Sequence, residues 1–187
     1  MVSARNTAAP PRRAIDGGLR LLHWLTVALL LLAFGLAWGF DSLPPGPAAG
    51  QLVTLHRTVG LSLFGLTAAR LAWRQWHPLP PVPAPAWERW LAGTVQAALY
   101  SALLAQPLLG WAASGAQGDS VAFAGLLTLP DLVDPDPDRA DQLLGLHKLL
   151  GFTILALVGL HVTGALRHAI RRDGVLHGML GRAKPAS

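Results

Sequence analysis

LLGLHKLLGFTILALVGLHVTGAL, residues 143–166, is an apolar stretch whose only titratable residues are one lysine and two histidines. A helix needs about 20 apolar residues to cross a bilayer core of about 30 Å, so this stretch predicts a membrane-spanning helix. His147 and His161 are 14 residues apart. That separation is close to four helical turns, or about 21 Å along the axis. One helix therefore presents an imidazole near each membrane surface, on nearly the same face.

Apolar stretches of similar length occur at three other places in the chain, at about residues 19–40, 52–73 and 90–113. The 187 residues are 52% hydrophobic and only 13% charged, which leaves too little polar sequence to cover four such helices in water. The sequence therefore predicts an all-α integral membrane protein, a four-helix bundle in a lipid bilayer. We expect a single domain over residues 1–187, with flexible termini at 1–13 and 183–187.

Charged residues are distributed unevenly around these stretches. Twelve of the fifteen basic residues lie before the first stretch, around the second connection and after the fourth stretch: Arg5, Arg12, Arg13, Arg20, Arg70, Arg74, Arg89, Arg167, Arg171, Arg172, Arg182 and Lys184. Seven of the ten acidic residues lie in the other two connections: Asp41, Asp119, Asp131, Asp134, Asp136, Asp138 and Asp141. The positive-inside rule then predicts that both termini are cytoplasmic (N-in, C-in) in a bacterial inner membrane. This distribution accounts for the net charge of +5 without a nucleic-acid partner.

The four histidines within the apolar stretches can be paired by depth. In this orientation His23 and His161 both lie near the cytoplasmic side, and His56 and His147 both lie near the periplasmic side. Nitrogens that ligate one metal from opposite sides are about 4 Å apart, so only these equal-depth pairs can each bind one metal. The pattern predicts two heme b groups with bis-histidine ligation, which favours electron transfer over oxygen binding. The absence of cysteine excludes iron–sulfur clusters and covalently attached heme in this chain.

Residues beside these histidines suit the same cofactors. Gly60 and Gly151 follow the two periplasmic histidines by four residues, where a missing side chain would let a porphyrin lie flat against the helix. Both glycines are equally consistent with helix packing. Arg57 and Lys148 directly follow the same histidines and could bind heme propionates or attract an anion, or could extend to the interface as snorkelling side chains. On the cytoplasmic side the candidates for binding propionates are Arg20, Arg70 and Arg167.

Several motifs accompany the histidines in a fixed order. They are LHW at Leu22–Trp24, HRTVG at His56–Gly60, RLAWR at Arg70–Arg74, LY and PLLGW within Leu99–Trp111, AFAGLLTLP at Ala122–Pro130, and HKLLG at His147–Gly151. With this order and spacing the chain resembles the bacterial cytochrome b561 family from Ala14 to about Arg182. It is more distantly similar to the cytochrome b subunits of membrane formate dehydrogenases and nickel–iron hydrogenases.

This resemblance implies a di-heme b cytochrome of the inner membrane that exchanges electrons with a quinone such as ubiquinone. One kind of family member is similar to a superoxide oxidase, which passes an electron from periplasmic superoxide inward to ubiquinone. The chain departs from many relatives at one position, because Gln96 stands where they have a histidine, four residues before Tyr100. Gln96, Tyr100 and His168 are the candidates for quinone binding and proton transfer.

Three functions remain open at this point. The first is a quinone-linked oxidoreductase with a periplasmic donor such as superoxide; Arg57 and Lys148 favour anion capture, whereas the acidic periplasmic connections oppose it. The second is an electron-carrier or anchor subunit that docks a soluble redox protein and has no substrate of its own. The third is a transporter with metal-binding histidines, which is disfavoured because the sequence shows no repeat.

Overall fold

The computed structural model describes residues 15–79, 84–171 and 175–181, so the segments expected to be flexible, 1–13 and 183–187, lie outside the described residues. Four long helices dominate it: α1 (Gly17–Asp41), α2 (Pro47–Trp76), α3 (Ala86–Ala116) and α4 (Pro137–Ile170). A two-stranded hairpin, β1 (Ala122–Phe123) and β2 (Leu127–Thr128), lies between α3 and α4, and a short helix, α5 (Val175–Leu180), follows α4. We call the end of the bundle that carries the hairpin the hairpin end, and the opposite end the terminus end.

Each long helix extends beyond the apolar stretch that predicts it. At the start of α1 the Asp16 side chain accepts a hydrogen bond from the Leu19 backbone N–H at 3.1 Å. At the start of α4 the Asp136 side chain accepts in the same way from the Arg139 N–H at 3.1 Å. The 34 residues of α4 are about 51 Å long, more than a bilayer core of about 30 Å. The additional turns at these two helix starts carry the capping residues Asp16 and Asp136.

Three of the long helices, α1, α2 and α4, are long and apolar enough to cross a membrane by length and composition within the described residues. The remaining helix, α3, has 31 residues but carries Gln96, Gln106 and Pro107 inside its apolar part, which lowers its mean hydropathy. Length and composition therefore support three of the four expected membrane spans. The crossing of the membrane by α3 remains a prediction.

Small and branched residues mediate the helix packing. Ala33 and Leu36 of α1 pack against Val59 and Leu63 of α2. Ala102 and Leu103 of α3 pack against Ile154 of α4, with α1 side chains Leu30 and Phe34 against the same cluster. Large apolar side chains such as Leu31, Phe152 and Ile170 point outward and are exposed. Contiguous apolar surface of this kind is unfavourable in water and is satisfied by lipid.

The hairpin is an addition to the all-α expectation. Ala122 pairs with Thr128 and Phe123 with Leu127, and the turn between the strands places Ala124 and Gly125 at φ of 52° and 69°. Such positive φ values at successive turn residues match the right-handed twist of a hairpin. The Ala124 N–H donates to Thr58 Oγ1 at 3.2 Å, which attaches the hairpin to α2.

At the terminus end, side chains connect the helix ends. The Trp73 Nε1–H of α2 donates to Asp16 Oδ1 at 2.9 Å, and the Trp73 ring stacks on His77 with 4.8 Å between centroids. The hydrogen bonds from Trp73 and then from Leu19 hold the pKa of Asp16 below its usual value. Helix α5 returns to α1, where Trp24 Nε1–H donates to the carbonyl of Met179 at 3.1 Å.

Candidate functional site

The structure brings the four intramembrane histidines together as two pairs. His56 of α2 faces His147 of α4 with 6.2 Å between ring centroids and 77° between ring planes. His23 of α1 faces His161 of α4 with the same 6.2 Å and a 65° interplanar angle. These are the two pairings that equal depth predicts. We call them the hairpin-end pair (His56 and His147) and the terminus-end pair (His23 and His161).

The spacing of both pairs fits one metal ion held from two sides. Two metal–imidazole bonds of about 2.0–2.1 Å put the ligating nitrogens about 4 Å apart. The centre of a five-membered ring with bonds of about 1.33 Å lies about 1.1 Å behind each nitrogen, so the centroids should be about 6.3 Å apart. The observed 6.2 Å agrees in both cases. No three His, Cys, Asp or Glu side chains cluster in a way that could hold a metal ion within the described residues.

Backbone carbonyls orient the hairpin-end pair. His56 Nδ1 lies 2.9 Å from the carbonyl oxygen of Ala33, and His147 Nδ1 lies 3.0 Å from that of Gln106. A carbonyl oxygen can only accept, so each Nδ1 carries the proton and donates it. The Nε2 atoms then present free lone pairs, which is the state in which imidazole ligates a metal.

Two residues of α3 that the sequence analysis did not single out surround His147. A Cβ on Gly110 would lie 3.0 Å from Cε1 of the His147 ring, so a side chain there would displace the ring. The Gln106 side chain donates from Nε2 to the His147 carbonyl at 2.9 Å, and Gln106 Oε1 is buried without a partner among the described residues. The signal for Gln106 in the sequence is an amide within an apolar stretch, where a polar group needs an interhelical partner.

A cavity of about 350 Å³ adjoins the hairpin-end pair. Its walls are largely apolar and include Phe34, and it is also lined by Gly60, Gly151 and Lys148. No atom lies within 4 Å of a Cβ built on Gly60, whereas one on Gly151 would lie 3.3 Å from Gln106 Nε2. An apolar cavity with a few polar groups beside two oriented imidazoles is suited to a flat, amphipathic cofactor.

The two basic residues that follow the hairpin-end histidines have different environments. Lys148 lines the cavity, together with Asp41 at the end of α1. Arg57 instead forms an ion pair with Asp119, with 2.7 Å between Nη2 and Oδ2, beside the hairpin. Lys148 therefore remains a candidate for binding a propionate, whereas the charge of Arg57 is compensated by a carboxylate.

Three buried polar atoms without a partner among the described residues belong to the terminus-end part of the bundle: His23 Nδ1, Thr67 Oγ1 and Arg70 Nε. Thr67 is only 1% exposed. The other two buried hydroxyls, Thr26 and Ser114, each donate to the carbonyl four residues earlier. Buried polar groups are normally satisfied, so these three atoms suit a bound polar or charged group. The sequence analysis did not single out Thr67.

Two guanidinium groups and two α3 side chains meet beside the terminus-end pair. Cζ of Arg70 lies 5.4 Å and Cζ of Arg74 lies 5.9 Å from the centre of the Tyr100 ring. Arg74 Nη1 donates to Gln96 Oε1 at 3.3 Å. The structure thus brings Gln96 and Tyr100, two of the candidates for quinone binding, together with Arg70.

The remaining candidates at this end lie elsewhere. His168 is in the last turn of α4. Arg167 forms an ion pair with Glu88 of α3 at 2.9 Å, and Arg171 binds the same carboxylate at 2.7 Å. Arg20 packs against the end of α5, where a Cβ on Gly181 would lie 2.8 Å from its Nη1. Of the three arginines expected to bind propionates at this end, Arg70 is therefore the one whose Nε is buried without a partner among the described residues.

Sequence comparison identifies the family of the chain. A profile of the prokaryotic cytochrome b561 family matches residues 14–182, and the chain belongs to this family. Its members are heme-binding electron-transfer proteins of the membrane, and b-type heme is their cofactor. The chain is 28% identical over 166 residues to cytochrome b561 homolog 2 of Escherichia coli strain K12, which covers 86% of this chain and 88% of that protein.

Proposed function

We propose that the chain is a di-heme b-type cytochrome in which each histidine pair ligates one heme. The observation that carries the proposal is the 6.2 Å centroid distance, which is the same in both pairs and fits bis-histidine ligation. Each heme, when bound, would supply one-electron redox chemistry, and the two imidazoles of its histidine pair would hold it. The protein residues supply ligation, orientation and charge.

At the hairpin end, the protein would hold the cofactor through three kinds of contact. The carbonyls of Ala33 and Gln106 keep the Nε2 lone pairs of the pair directed at the metal. Gly60 and Gly151 leave the cavity wall flat. Lys148 can neutralise a propionate at the edge of the same cavity.

At the terminus end, Arg70 would hold a propionate of the second heme. Its Nε is buried without a partner among the described residues, and its positive charge acts on both His23 and His161. The Thr67 hydroxyl, one turn earlier on α2, can donate a hydrogen bond to the same cofactor. An anionic group there would satisfy donors that are otherwise costly to bury.

We further propose four membrane spans, with both termini cytoplasmic and the hairpin periplasmic. The partition of basic residues supports this orientation. The polar residues of α3 support its membrane crossing, because Gln106 bonds to His147 of α4 and Gln96 bonds to Arg74 of α2. Amides that are satisfied by neighbouring helices are tolerated in a spanning helix.

Quinone reduction is proposed at the terminus end. The Tyr100 hydroxyl and the guanidinium groups of Arg70 and Arg74 can donate to quinone oxygens, and Gln96 lies on the same face of α3. Reduction to quinol consumes two protons, which a cytoplasmic position would supply, with His168 as a candidate carrier. Replacing Gln96 with Leu or His168 with Ala should slow quinone-dependent oxidation of the reduced protein without changing heme content. Unchanged rates in both variants would contradict a quinone site at this end.

The donor is proposed to react at the hairpin end, and two classes remain. Superoxide is the first, with Lys148 as the nearest cation. The second is a basic soluble redox protein, in which case the chain is an electron carrier or membrane anchor. The second class is favoured by exposed carboxylates at this end: Asp41, Asp119, Asp131, Asp134, Asp138 and Asp141. The negative electrostatic field of these carboxylates attracts a basic protein and repels the superoxide anion.

Stopped-flow mixing separates these possibilities. Oxidised protein with two hemes should be reduced by superoxide, and then reoxidised by a soluble quinone analogue, if the chain is a superoxide:quinone oxidoreductase. Failure of superoxide to reduce it, together with co-purification of a second subunit, would favour the anchor function. A purified protein without a heme absorption spectrum would contradict both and favour metal transport.

A further inference from the structure

The turn of the hairpin lies deep along α2 rather than beyond its end. The Ala124 N–H donates to Thr58 Oγ1 at 3.2 Å, and Thr58 follows His56 by two residues on α2. Thr58 is also well inside the helix, about 17 Å along the axis from Pro47, where α2 begins. The turn is therefore level with the hairpin-end pair.

The turn contacts the outer face of α2. An α-helix has 3.6 residues per turn, so the side chain of Thr58 points about 200° away from that of His56. His56 faces the interior of the bundle, where the Ala33 carbonyl and the His147 ring are its neighbours. The hairpin therefore lies on the face of α2 that is turned toward the surroundings of the bundle.

The side chains around the turn are apolar and exposed. Leu126 is 90% exposed, Leu127 is 59% exposed and Phe123 is 38% exposed. The sequence between Asp119 and Asp131 contains no charged residue. Turns in water are dominated by glycine, proline and small polar residues, so two leucines directly after the turn glycine are unusual there. An uncharged segment between two carboxylates suits a loop whose middle lies in lipid and whose ends lie in water.

The polar groups at the turn are paired within the protein. The Leu126 N–H donates to the Phe123 carbonyl at 3.0 Å, and the Ala124 N–H donates to Thr58 as above. The Thr58 hydroxyl in turn donates to the Thr54 carbonyl at 3.1 Å, so it is satisfied as both donor and acceptor. Non-helical backbone at membrane depth is tolerated only where the protein satisfies its polar groups.

A groove of about 760 Å³ lies between the turn and the first half of α2. Ala124 and Gly125 line it from the hairpin, Thr54 and Leu55 line it from α2, and the described residues of its walls carry no charge. The groove is continuous with the outer face of α2, a helix that is long and apolar enough to cross a membrane. Lipid chains that cover this face of α2 would also fill the groove.

We propose that the hairpin is a membrane-inserted element and that its partner is the lipid bilayer. Leu126 and Leu127 lie among the acyl chains against the outer face of α2, and Asp119 and Asp131 lie at the water interface. The proposal goes beyond the proposed function and requires only that α2 crosses the membrane. It holds for either orientation of the bundle and for any heme content.

Fluorescence quenching in lipid nanodiscs tests the position of the turn. The chain has no cysteine, so the single cysteine of Leu126→Cys can carry a nitrobenzoxadiazole fluorophore. Nanodiscs of phosphatidylethanolamine and phosphatidylglycerol leave both membrane faces open to solvent. A nitroxide on the acyl chain of an added phospholipid quenches from the lipid, and iodide quenches from the water. Leu149→Cys, an exposed leucine two residues beyond His147, is the lipid control, and Asp134→Cys is the water control.

We expect the fluorophore at position 126 to be quenched by the lipid nitroxide and protected from iodide, as at position 149. The reverse pattern, as at position 134, would place the turn in water and overturn the proposal. Protection from both quenchers would also overturn it, because the turn would then be covered by protein, such as a second copy of the chain.

The thiol itself gives a second measurement without a fluorophore. A charged maleimide that does not enter lipid reacts only with a thiolate in water, and an apolar environment disfavours the thiolate. Leu126→Cys should therefore react about tenfold more slowly, or less, than Ser120→Cys at the base of the hairpin. The two rates should become equal once the protein is denatured. Equal rates in the intact nanodisc would contradict insertion.

The failure of this inference is distinguishable from failure of the proposed function. The quenching and labelling measurements do not depend on heme, and one heme per chain would contradict only the di-heme proposal. A turn that is exposed to water in a protein with two hemes would contradict only the insertion of the hairpin.

Discussion

Gln106 and His147 are joined by two reciprocal hydrogen bonds between α3 and α4. The His147 Nδ1–H donates to the Gln106 carbonyl at 3.0 Å, and the Gln106 side chain donates from Nε2 to the His147 carbonyl at 2.9 Å. One bond sets the orientation of the imidazole, and the other holds the backbone that carries it. The helix α3, which supplies no heme ligand in this account, thereby positions one.

Replacing Gln106 with Leu should destabilise the protein without removing the acceptor of the imidazole. The lost side-chain hydrogen bond contributes about 0.5–1.5 kcal/mol to the free energy of unfolding. For a chain of this size, each kcal/mol lost lowers Tm by about 2–4 °C. Thermal unfolding followed by heme absorbance measures it. Gln142→Leu, at an exposed position near the start of α4, is the control and should leave Tm within about 1 °C. Equal effects of the two changes would contradict the reciprocal pair.

Gly110→Ala should remove the hairpin-end heme selectively. The added Cβ would lie 3.0 Å from His147 Cε1, closer than carbon atoms normally approach, so the ring must move. A pyridine hemochrome assay should then give a heme content that falls from two toward one per chain. Gly93→Ala, on the same helix with no atom within 4 Å of the new Cβ, should retain both hemes. A fully loaded Gly110→Ala protein would show that the ring does not need this space.

Asp16 should contribute a stability that depends on pH. Hydrogen bonds from Trp73 and Leu19 lower its pKa in the folded protein. A group of this kind stabilises the fold above its unfolded pKa of about 3.9, and the contribution is lost as pH falls through the lower folded pKa. The difference in Tm between the unmutated protein and Asp16→Asn should therefore be constant from pH 7 to about 5 and shrink below about 4. A difference that grows on acidification would have the wrong sign.

The orientation of the bundle predicts the activity of phosphatase fusions. A fusion at Asp136, between the hairpin and α4, should be active because this connection is expected to be periplasmic. A fusion after Lys184 should be inactive because the C-terminus is expected to be cytoplasmic. The reverse pattern would invert the bundle and exchange the sides on which donor and quinone react.

Depth along a helix could be predicted from the sequence, whereas rotation about the helix axis could not. The rise of about 1.5 Å per residue fixes the separation of His147 and His161 along the helix axis. Charge asymmetry fixes the direction in which each helix runs. The two together predict that His147 pairs with His56 and that His161 pairs with His23. The acceptor of each imidazole depends on which carbonyl faces it across a helix interface. Only the folded structure supplies that information, and it identified Gln106.

Residues that act by small size or by burial were also missed. Gly110 matters because His147 occupies the space of its absent side chain, and one glycine among 20 gives no such signal in a sequence. Both Thr26 and Thr67 are buried, but the Thr26 hydroxyl donates to a carbonyl of its own helix. The Thr67 hydroxyl has no partner among the described residues. Arg57 was open to anion binding or to a snorkelling position at the interface, and its ion-pair partner Asp119 is 62 positions away in the chain.

The most direct test of the central claim is the heme content and spectrum of the unmutated protein and of its four single histidine-to-alanine variants. The account predicts two hemes per chain in the unmutated protein and one in each variant. It also predicts that His23→Ala and His161→Ala lose one spectral component, and that His56→Ala and His147→Ala lose the other. A single heme per chain in the unmutated protein, or the same component lost from His23→Ala and His56→Ala, would contradict the paired assignment.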